Sequence, residues 1–325
     1  MRARVGVIGL GLMGGSLLRR CAGAGWPAVG WDADDGTSAA VAAADLPTSP
    51  TLDRLVATSE VLFVAVPLPA LDATFTAIAA TNGAAPAPAD RVVTDLTSVK
   101  QPVRELAAGR GLAFVGGHPM AGTERSGFAA SSVELLADTA WVLTLDDETP
   151  IAAWLTVADI LTSLGCRVVP CTSADHDRAV ARVSHLPHLL AAAVAAGAAG
   201  DPLALALAAG SFRDVTRVAA TRPELLAAMC AGNAVALREE LAALASRLEH
   251  AAGLLGEPDR LAAWFEPGRR VRAGWPPAPG ADVELAVDGA LGRRLLALGR
   301  AGGHVTGVQP GRVTGRAGSE TGRGA

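Results

Sequence analysis

Tyrosine is absent from this chain of 325 residues, and the aromatic residues together make up only 4% of it. Half of the residues are nevertheless apolar, and much of that apolar character comes from alanine. The longest apolar run, residues 189–199, is too short to cross a bilayer, which takes about 20 residues. The positive mean hydropathy therefore does not indicate a membrane protein, and we expect no membrane partner.

The chain also has few cysteines and no large excess of charge of either sign. The four cysteines are scattered, and the nearest pair, Cys166 and Cys171, fits no familiar metal-binding spacing. We interpret all four as buried thiols. The formal net charge of -4 provides no basic footprint for nucleic acid, so we expect no nucleic-acid partner.

The N-terminus imitates a signal peptide, because two arginines precede an apolar run over residues 5–18. That run, however, carries Gly9, Gly11 and Gly14 in the spacing G-x-G-x-x-G, between a β-branched stretch and a helical one. Asp32 follows the next strand-like stretch, residues 28–31. We therefore interpret the run as part of a folded domain and predict a cytoplasmic protein.

This arrangement is typical of a dinucleotide site. The first glycine allows a tight turn, the second lets the backbone approach the pyrophosphate, and the third packs the helix on the strand. Residues 16–21 are predicted to form that helix, whose N-terminal amides would bind the phosphates. Asp32 would accept hydrogen bonds from ribose hydroxyls and repel a 2'-phosphate, which favours NAD over NADP.

The strand and helix patterns alternate through the first half. Residues 60–67 form an apolar strand pattern that ends at Val66 and Pro67, on the edge where parallel sheets bind ligands. The strand pattern 91–95 runs into Thr97 and Ser98, whose hydroxyls face the cofactor, cap the next helix, or do both. Further strands are predicted at 112–115, 141–145 and 166–169, with helices at 71–80, 101–108 and 151–164. The pattern predicts an α/β fold with a Rossmann-type doubly wound domain over residues 1–171.

The stretch 116–128 is predicted to be a glycine-rich loop that carries His118, Thr123 and Glu124. A histidine has the right unperturbed pKa to take a proton from an alcohol near neutral pH. An isolated histidine in a loop is more often without a chemical role. Next to a dinucleotide site, we interpret this stretch as the place where the chemistry occurs.

From residue 172 the pattern becomes helical, which predicts an all-α domain over residues 172–265. Thr172 and Asp175 resemble a capping box before a helix. That helix carries His176, His185 and His188, and Pro187 is expected to bend it between the last two. No cluster of carboxylates or thiols accompanies these histidines, so we predict no metal site and interpret them as packed or substrate-facing.

The next helix is predicted to begin at Asp201 and Pro202 and to carry Arg213 and Arg217 on one face. Two arginines on one face are either a solvated stripe or a binding site for carboxylates. Thr221 is expected to open a second capping box, followed by long helices to residue 265. Such helices expose wide apolar stripes, which predicts a homodimer.

Residues 266–325 read as a variable tail rich in glycine, proline and arginine. A β-α-β pattern over residues 283–306 faintly resembles the first half of an ACT domain, and a partly ordered appendage is an equal alternative. We expect disorder after Pro310.

Seven motifs together resemble the prephenate dehydrogenase family, which includes the arogenate and cyclohexadienyl dehydrogenases. They are residues 9–16 (GLGLMGGS), 30–32 (GWD), 64–67 (VAVP), 94–100 (TDLTSVK), 118–127 (HPMAGTERSG), 184–188 (SHLPH) and 212–217 (FRDVTR). The first motif alone would suit a β-hydroxyacid dehydrogenase equally well. The motifs around His118, His188 and Arg217 are more specific and occur in the family's order, and the resemblance extends to about residue 265.

The resemblance implies an NAD-linked oxidative decarboxylation of prephenate to 4-hydroxyphenylpyruvate, on the way to tyrosine. It implies that His118 is the catalytic histidine and that Ser98 orients it. It also implies a substrate site that contains Thr123, Glu124, His188, Arg213 and Arg217, with Arg217 on the ring carboxylate and Arg213 as a secondary candidate. The implied cofactor site comprises Gly9, Gly11, Leu12, Met13, Gly14, Asp32, Val66, Pro67 and Thr97.

Two alternatives stay open from the sequence. The substrate could be arogenate, which carries an amine in place of the keto group of the side chain. A non-catalytic, NAD-sensing protein would be favoured if His118 or Ser98 were absent, and both are present.

Overall fold

A parallel sheet of five strands forms the first part of the chain, in a computed structural model that describes residues 2–84, 91–122 and 125–319. The strand order is β2-β1-β3-β4-β5. The strands are β1 (Val5–Ile8), β2 (Ala28–Trp31), β3 (Val61–Val64), β4 (Val92–Asp95) and β5 (Phe114–Val115). The helices between them are α1 (Leu12–Gly23), α2 (Asp35–Ala43), α3 (Leu52–Thr58), α4 (Leu71–Ala84) and α5 (Gln101–Ala108). This arrangement confirms the predicted Rossmann-type domain.

Apolar cores cover both faces of this sheet. Alternate residues of a strand point to opposite faces, and in β3 Val61 and Phe63 join one core while Leu62 and Val64 join the other. All four are at most 1% exposed. Burial on both faces explains why these strands read as continuous apolar runs in the sequence. The run that imitates a signal peptide forms β1 and α1, in the middle of this domain.

A second sheet of six strands continues from the first, in the order β6-β7-β8-β10-β11-β9. Its strands are β6 (Gly117–Pro119), β7 (Ala140–Thr144), β8 (Arg167–Cys171), β9 (Asp282–Ala286), β10 (His304–Gln309) and β11 (Arg312–Arg316). Helix α6 (Ile151–Ser163) connects the parallel pair β7 and β8, and β6 lies antiparallel to β7. His118, predicted to lie in a loop, is therefore the middle residue of a short strand.

The tail is part of this second sheet. Strand β10 pairs with β8 at Val305 and Val168, and β11 joins β10 to β9. Helix α14 (Leu291–Arg300) places Leu291 and Leu295 in the same core as the first sheet. The predicted β-α-β order is present and gains a strand, β11. The disorder expected after Pro310 is wrong for this segment, because β11 lies beyond it and buries Val313.

The helical part begins at Ser173, where Thr172 caps α7 by accepting a hydrogen bond from the amide of Asp175. Its elements are α7 (Ser173–Val180), a π-helical segment (Ala181–His185), α8 (Leu186–Gly197), α9 (Pro202–Leu207), α10 (Gly210–Thr216), a 3-10 turn (Arg217–Ala220), α11 (Pro223–Gly232), α12 (Ala234–Gly253) and α13 (Pro258–Ala273). The described residues thus confirm a helical domain after the Rossmann-type one. Helix α13 continues past residue 265.

Three details differ from the sequence-based expectations. The irregularity expected between His185 and His188 lies one turn earlier, in the π-helical segment before Pro187, because proline lacks the N–H that would continue the α-helical ladder backwards. The single helix expected from Pro202 is divided into α9, α10 and a 3-10 turn. Thr221 does not cap α11, whose N-cap residue is Arg222 without a side-chain hydrogen bond.

The stretch Ser173–Gly197 passes a length and composition test for crossing a membrane, because an 18-residue window within it has a mean hydropathy of 1.3. Its first turns nevertheless contain buried polar side chains, His176 and Asp177, which contact the Rossmann-type domain. The helical part also exposes large apolar side chains. Leu207 of α9, Val235 of α12 and Val271 of α13 are between 73% and 75% exposed.

Candidate active site

The glycine-rich turn between β1 and α1 has the geometry that a dinucleotide requires. Gly9 adopts a positive φ of 88°, a conformation that favours glycine. A Cβ on Gly14 would lie 1.8 Å from the carbonyl oxygen of Gly9, so this position closes the helix against the strand. A Cβ on Gly11 would meet nothing within 4 Å. The open space at Gly11 is where the backbone can approach a pyrophosphate.

Asp32 lies directly after β2 and faces this turn. Its carboxylate accepts hydrogen bonds from the amides of Leu10, at 2.6 Å, and Asp34, at 2.9 Å. A carboxylate has about four acceptor positions, so two remain for the ribose hydroxyls. Helix α1 has Gly11 as its N-cap, no side-chain cap and no acidic residue in its first turn, where Leu12 and Met13 lie. These features fit a dinucleotide, with its phosphates at the helix N-terminus.

The ends of β3 and β4 carry the other predicted cofactor residues. A Cβ on Gly9 would lie 3.1 Å from Cγ1 of Val66, so Val66 lines the glycine turn, and Pro67 is the next residue of the chain. Thr97 uses both its amide and its hydroxyl to donate to Asp95, the last residue of β4. Neither Thr97 nor Ser98 caps α5, which corrects one of the two predicted roles.

A buried ion pair fixes the segment that carries His118. Lys100 is the only lysine of the chain, and its ammonium group pairs with Asp95. Neither side chain has any exposed surface. The same ammonium donates to the carbonyl of Gly117 at 2.6 Å, and Asp95 accepts from the amide of Gly117 at 3.0 Å. Both polar groups of Gly117 are thereby held beside the carboxyl end of β4.

His118 is buried and hydrogen-bonded to a second histidine. Its Nδ1 lies 2.9 Å from Nε2 of His176, and Nδ1 of His176 lies 2.7 Å from Oδ1 of Asp177. The resemblance implied that Ser98 orients His118, but the ring is held by the hydrogen bond between its Nδ1 and Nε2 of His176. Ser98 makes no hydrogen bond to His118 in the described chain. The pair joins β6 to α7, so the site lies where the two domains meet.

The charge state of His118 follows from this burial. Burial lowers the pKa of His118 well below its usual value, and the nearby His176, Lys100 and His185 lower it further. Burial also lowers the pKa of His176, although its hydrogen bond to Asp177 acts in the opposite direction. Both rings are therefore neutral at neutral pH, the state in which His118 can accept a proton.

The substrate side of the site extends along α8. Burial lowers the pKa of His185 to about 4, and His176 and His188 lower it as well. Burial lowers the pKa of His188 too, and the charge of Arg217 contributes to that shift. His188 lies on α8, which packs against the 3-10 turn that begins at Arg217, and His185 is the residue before α8. The Nδ1 atom of His188 is buried without a hydrogen bond among the described residues, which leaves it for a ligand.

The remaining predicted substrate residues are less well placed. Arg213 is 80% exposed and pairs at 3.6 Å with its neighbour Asp214. Arg213 lies in α10, whereas Arg217 is the C-cap residue of α10 and begins a 3-10 turn, so the two arginines are not part of one long helix. Thr123 and Glu124 lie outside the described residues. No group of three or more histidine, cysteine or acidic side chains that could hold a metal ion occurs in the described ranges.

The sequence interpretation missed the residues that hold His118. His176 was considered as a metal ligand, a packed residue or a substrate-facing residue, and Asp95, Lys100, Asp177 and Asn233 were given no role in the site. Their contacts with the site are long-range in sequence: Asn233 donates to the carbonyl of Asp177 at 2.7 Å, and Asp177 accepts from the amides of Lys100 and Gln101. Asp177 therefore accepts the hydrogen bonds of the first amides of α5, the capping role that was predicted for Thr97 or Ser98.

The fold and site define a class of two-domain nucleotide-binding proteins, in which a buried histidine lies between a Rossmann-type domain and a helical domain. Residues 16–170 match the family described as prephenate dehydrogenase, nucleotide-binding domain. Residues 172–266 match the prephenate dehydrogenase dimerization domain. The chain belongs to the prephenate dehydrogenase family.

Solved structures agree with this assignment. A candidate prephenate dehydrogenase from Corynebacterium glutamicum is 32% identical, with a TM-score of 0.85 over 93% of this chain and 98% of that one. The Synechocystis arogenate dehydrogenase is 29% identical, with a TM-score of 0.73 over 84% of this chain and 99% of that one.

The curated relatives match over shorter stretches. The prephenate dehydrogenase of Lactococcus lactis is 30% identical over 191 residues, which are 56% of this chain and 52% of that protein. The matches to three curated relatives span about half of their length or less, from 38% to 52%.

Proposed function

We propose that this protein is an NAD-dependent dehydrogenase that converts prephenate to 4-hydroxyphenylpyruvate and CO2, a step in tyrosine biosynthesis. The observation that carries the proposal is the environment of His118. The ring is buried, neutral and held through Nδ1, and no described residue hydrogen-bonds its Nε2. Nε2 can therefore accept the proton of the ring carbinol as that carbon is oxidised.

The glycine turn and Asp32 would hold the cofactor, as their geometry fits a dinucleotide. NAD supplies the hydride acceptor when it is bound there. The contribution of the protein is orientation and the handling of one proton. The carbinol carbon would lose its hydrogen as hydride to that acceptor while its O–H proton passes to His118, and a carbonyl remains on the ring. Breaking the bond to the ring carboxylate then releases CO2, its electron pair makes the ring aromatic, and the ring oxygen takes a proton back from His118.

Arg217 and His188 would bind the substrate. Prephenate carries two carboxylates, and an arginine binds such a group through two parallel hydrogen bonds. Arg217 is exposed and lies close enough to His188 to lower its pKa. We assign the ring carboxylate to Arg217 and a polar contact with the substrate to the unpaired Nδ1 of His188.

Arogenate is the second candidate substrate, because a relative that is 29% identical over 84% of this chain is an arogenate dehydrogenase. One assay separates the two. Formation of reduced nicotinamide is followed by absorbance with prephenate and with arogenate, each with NAD and with NADP. We expect the highest kcat/KM with prephenate and NAD. Turnover of arogenate alone would reassign the substrate, and no reduction with either substrate would refute the proposed activity.

We further propose a homodimer formed by the helical domain. Its match to a dimerization domain supports this, as do the exposed apolar side chains of α9, α12 and α13. A cytoplasmic location is part of the proposal, supported by the place of the signal-like run in the core of the first domain. Sedimentation of the purified protein at several concentrations tests the dimer.

A further inference from the structure

Nε2 is the only atom of His118 that takes part in the proposed reaction. The other ring nitrogen, Nδ1, begins a series of hydrogen bonds that includes two more side chains. His118, His176 and Asp177 form a chain with steps of 2.9 and 2.7 Å. His118 is 9% exposed and the other two are each 2% exposed. The hydrogen bonds between these three side chains are thus shielded from water.

Asp177, at the end of this series of hydrogen bonds, determines which ring nitrogens carry protons. A carboxylate only accepts hydrogen bonds, so Nδ1 of His176 must donate to Asp177. Neutral His176 then has its lone pair on Nε2 and must accept the hydrogen bond from His118. The proton of neutral His118 is therefore on Nδ1, and Nε2 has a free lone pair.

Asp177 is itself held in place. Its carboxylate accepts from the amides of Lys100 at 2.8 Å and Gln101 at 2.9 Å, and its carbonyl accepts from Asn233 at 2.7 Å. Asn233 also contacts Nδ1 of His185 at 3.1 Å. The acceptor that orients His176 is thus fixed by both domains.

We propose that His176 and Asp177 are positioning residues that keep His118 in the tautomer with an unprotonated Nε2. The inference rests on the proposed role of His118 as the base. When Nε2 takes the carbinol proton, His118 becomes a cation whose Nδ1–H still donates to His176. Asp177 stabilises that cation through the intervening ring, and no proton moves along the chain. An orienting carboxylate acts in this way in serine protease triads.

The test compares His176→Phe, which removes the acceptor, with His176→Gln, whose amide has both an acceptor and a donor. Nitrogen-15 NMR of histidine-labelled protein without substrate reports which ring nitrogen carries the proton, and His118→Asn assigns the signal. We expect the proton of the His118 ring to be on Nδ1 in the parent and in His176→Gln. In His176→Phe we expect the tautomer population to shift toward the form with the proton on Nε2. A proton on Nε2 of His118 in the parent would overturn the inference, whether or not the His176 variants fold.

Kinetics provide a second readout that a purely structural role would not produce. We expect His176→Phe to lower kcat roughly 10- to 100-fold with little change in KM, less than the loss of about 10²–10⁴-fold on removing a general base. His176→Gln should recover most of this loss. His250→Gln, on the exposed end of α12, is the matched control and should behave like the parent.

The same substitution in the His118→Asn background completes the cycle. If His176 acts through His118, His176→Phe should have no further effect there. An equal loss in both backgrounds would overturn the inference. A parent enzyme that turns over neither substrate would instead refute the proposed function, and the tautomer measurement would still decide the positioning role.

Discussion

Replacing Lys100 with methionine is the most direct test of how the site is held together. The substitution keeps a long apolar stem but removes the charge that pairs with Asp95. Asp95 would remain fully buried and would keep the amides of Gly117 and Thr97 as donors, each at 3.0 Å. The carbonyl of Gly117 would lose its donor as well. The change therefore leaves a carboxylate without a counter-charge beside the strand that carries His118.

The expected magnitude follows from this geometry. Removing one partner of a buried ion pair costs about 3–5 kcal/mol of unfolding free energy. Because two amides still bind Asp95, we expect the lower end, about 3 kcal/mol. For a domain of this size each kcal/mol lowers Tm by about 2–4 °C, so the loss is about 6–12 °C.

Thermal unfolding of purified variants measures the effect. Arg260→Met is the matched control, because its pair with Glu257 is exposed and should contribute about 1 kcal/mol or less. The double variant Lys100→Met with Asp95→Asn removes both charges and should regain part of the lost stability. A single variant that melts within about 2 °C of the parent would refute this account of the ion pair.

Three further predictions concern binding. Gly11→Ala should leave Tm unchanged but weaken NAD binding, because a Cβ there meets no protein atom within 4 Å. Gly14→Ala should lower the free energy of unfolding by about 1–3 kcal/mol, because its Cβ would lie 1.8 Å from a carbonyl oxygen. Thermal melts and NAD titration of both variants measure the two effects. Arg217→Ala should lower kcat/KM for prephenate by an amount equivalent to about 2–4 kcal/mol of transition-state stabilisation, and should leave the affinity for NAD intact. Kinetics equal to those of the parent would mean that another residue binds the ring carboxylate. Asp32 should make NAD roughly a hundredfold better than NADP in kcat/KM, and equal values would contradict its role.

The nucleotide-binding half could be predicted because its signals are local. Gly9, Gly11 and Gly14 have fixed roles within one turn, and Asp32 follows at a fixed distance along the chain. Helix α5 was predicted with the observed bounds, since its pattern and its proline at the second position are contained in eight residues. The bounds of α5 follow from this local pattern, although the distant Asp177 binds its first amides.

The strand that carries His118 could not be predicted in the same way. Residues 117–119 include a glycine and a proline, both of which are unfavourable in strands. The strand exists because β7 pairs with it and because Asp95 and Lys100 hold Gly117. These contacts join residues far apart in sequence, so the sequence pattern indicated only a loop.

The tail illustrates the same limit. Its many glycines and arginines indicated disorder after Pro310, yet Val305 and Val313 are at most 1% exposed in the core shared with the first domain. Strand β10 meets β8 through residues more than a hundred positions apart. Composition does not report such pairing.

The measurement that tests the central claim most directly is kcat against pH for the parent and for His118→Asn. A general base must be unprotonated, so parental turnover should fall as pH drops through the pKa of His118. Burial and the neighbouring His176, Lys100 and His185 lower that pKa, so the acid limb should lie below the usual value of 6.5. His118→Asn should lose about 10²–10⁴-fold in kcat, show no acid limb and still bind NAD. A folded variant with a near-parental rate and an intact acid limb would contradict the assignment of His118 as the base.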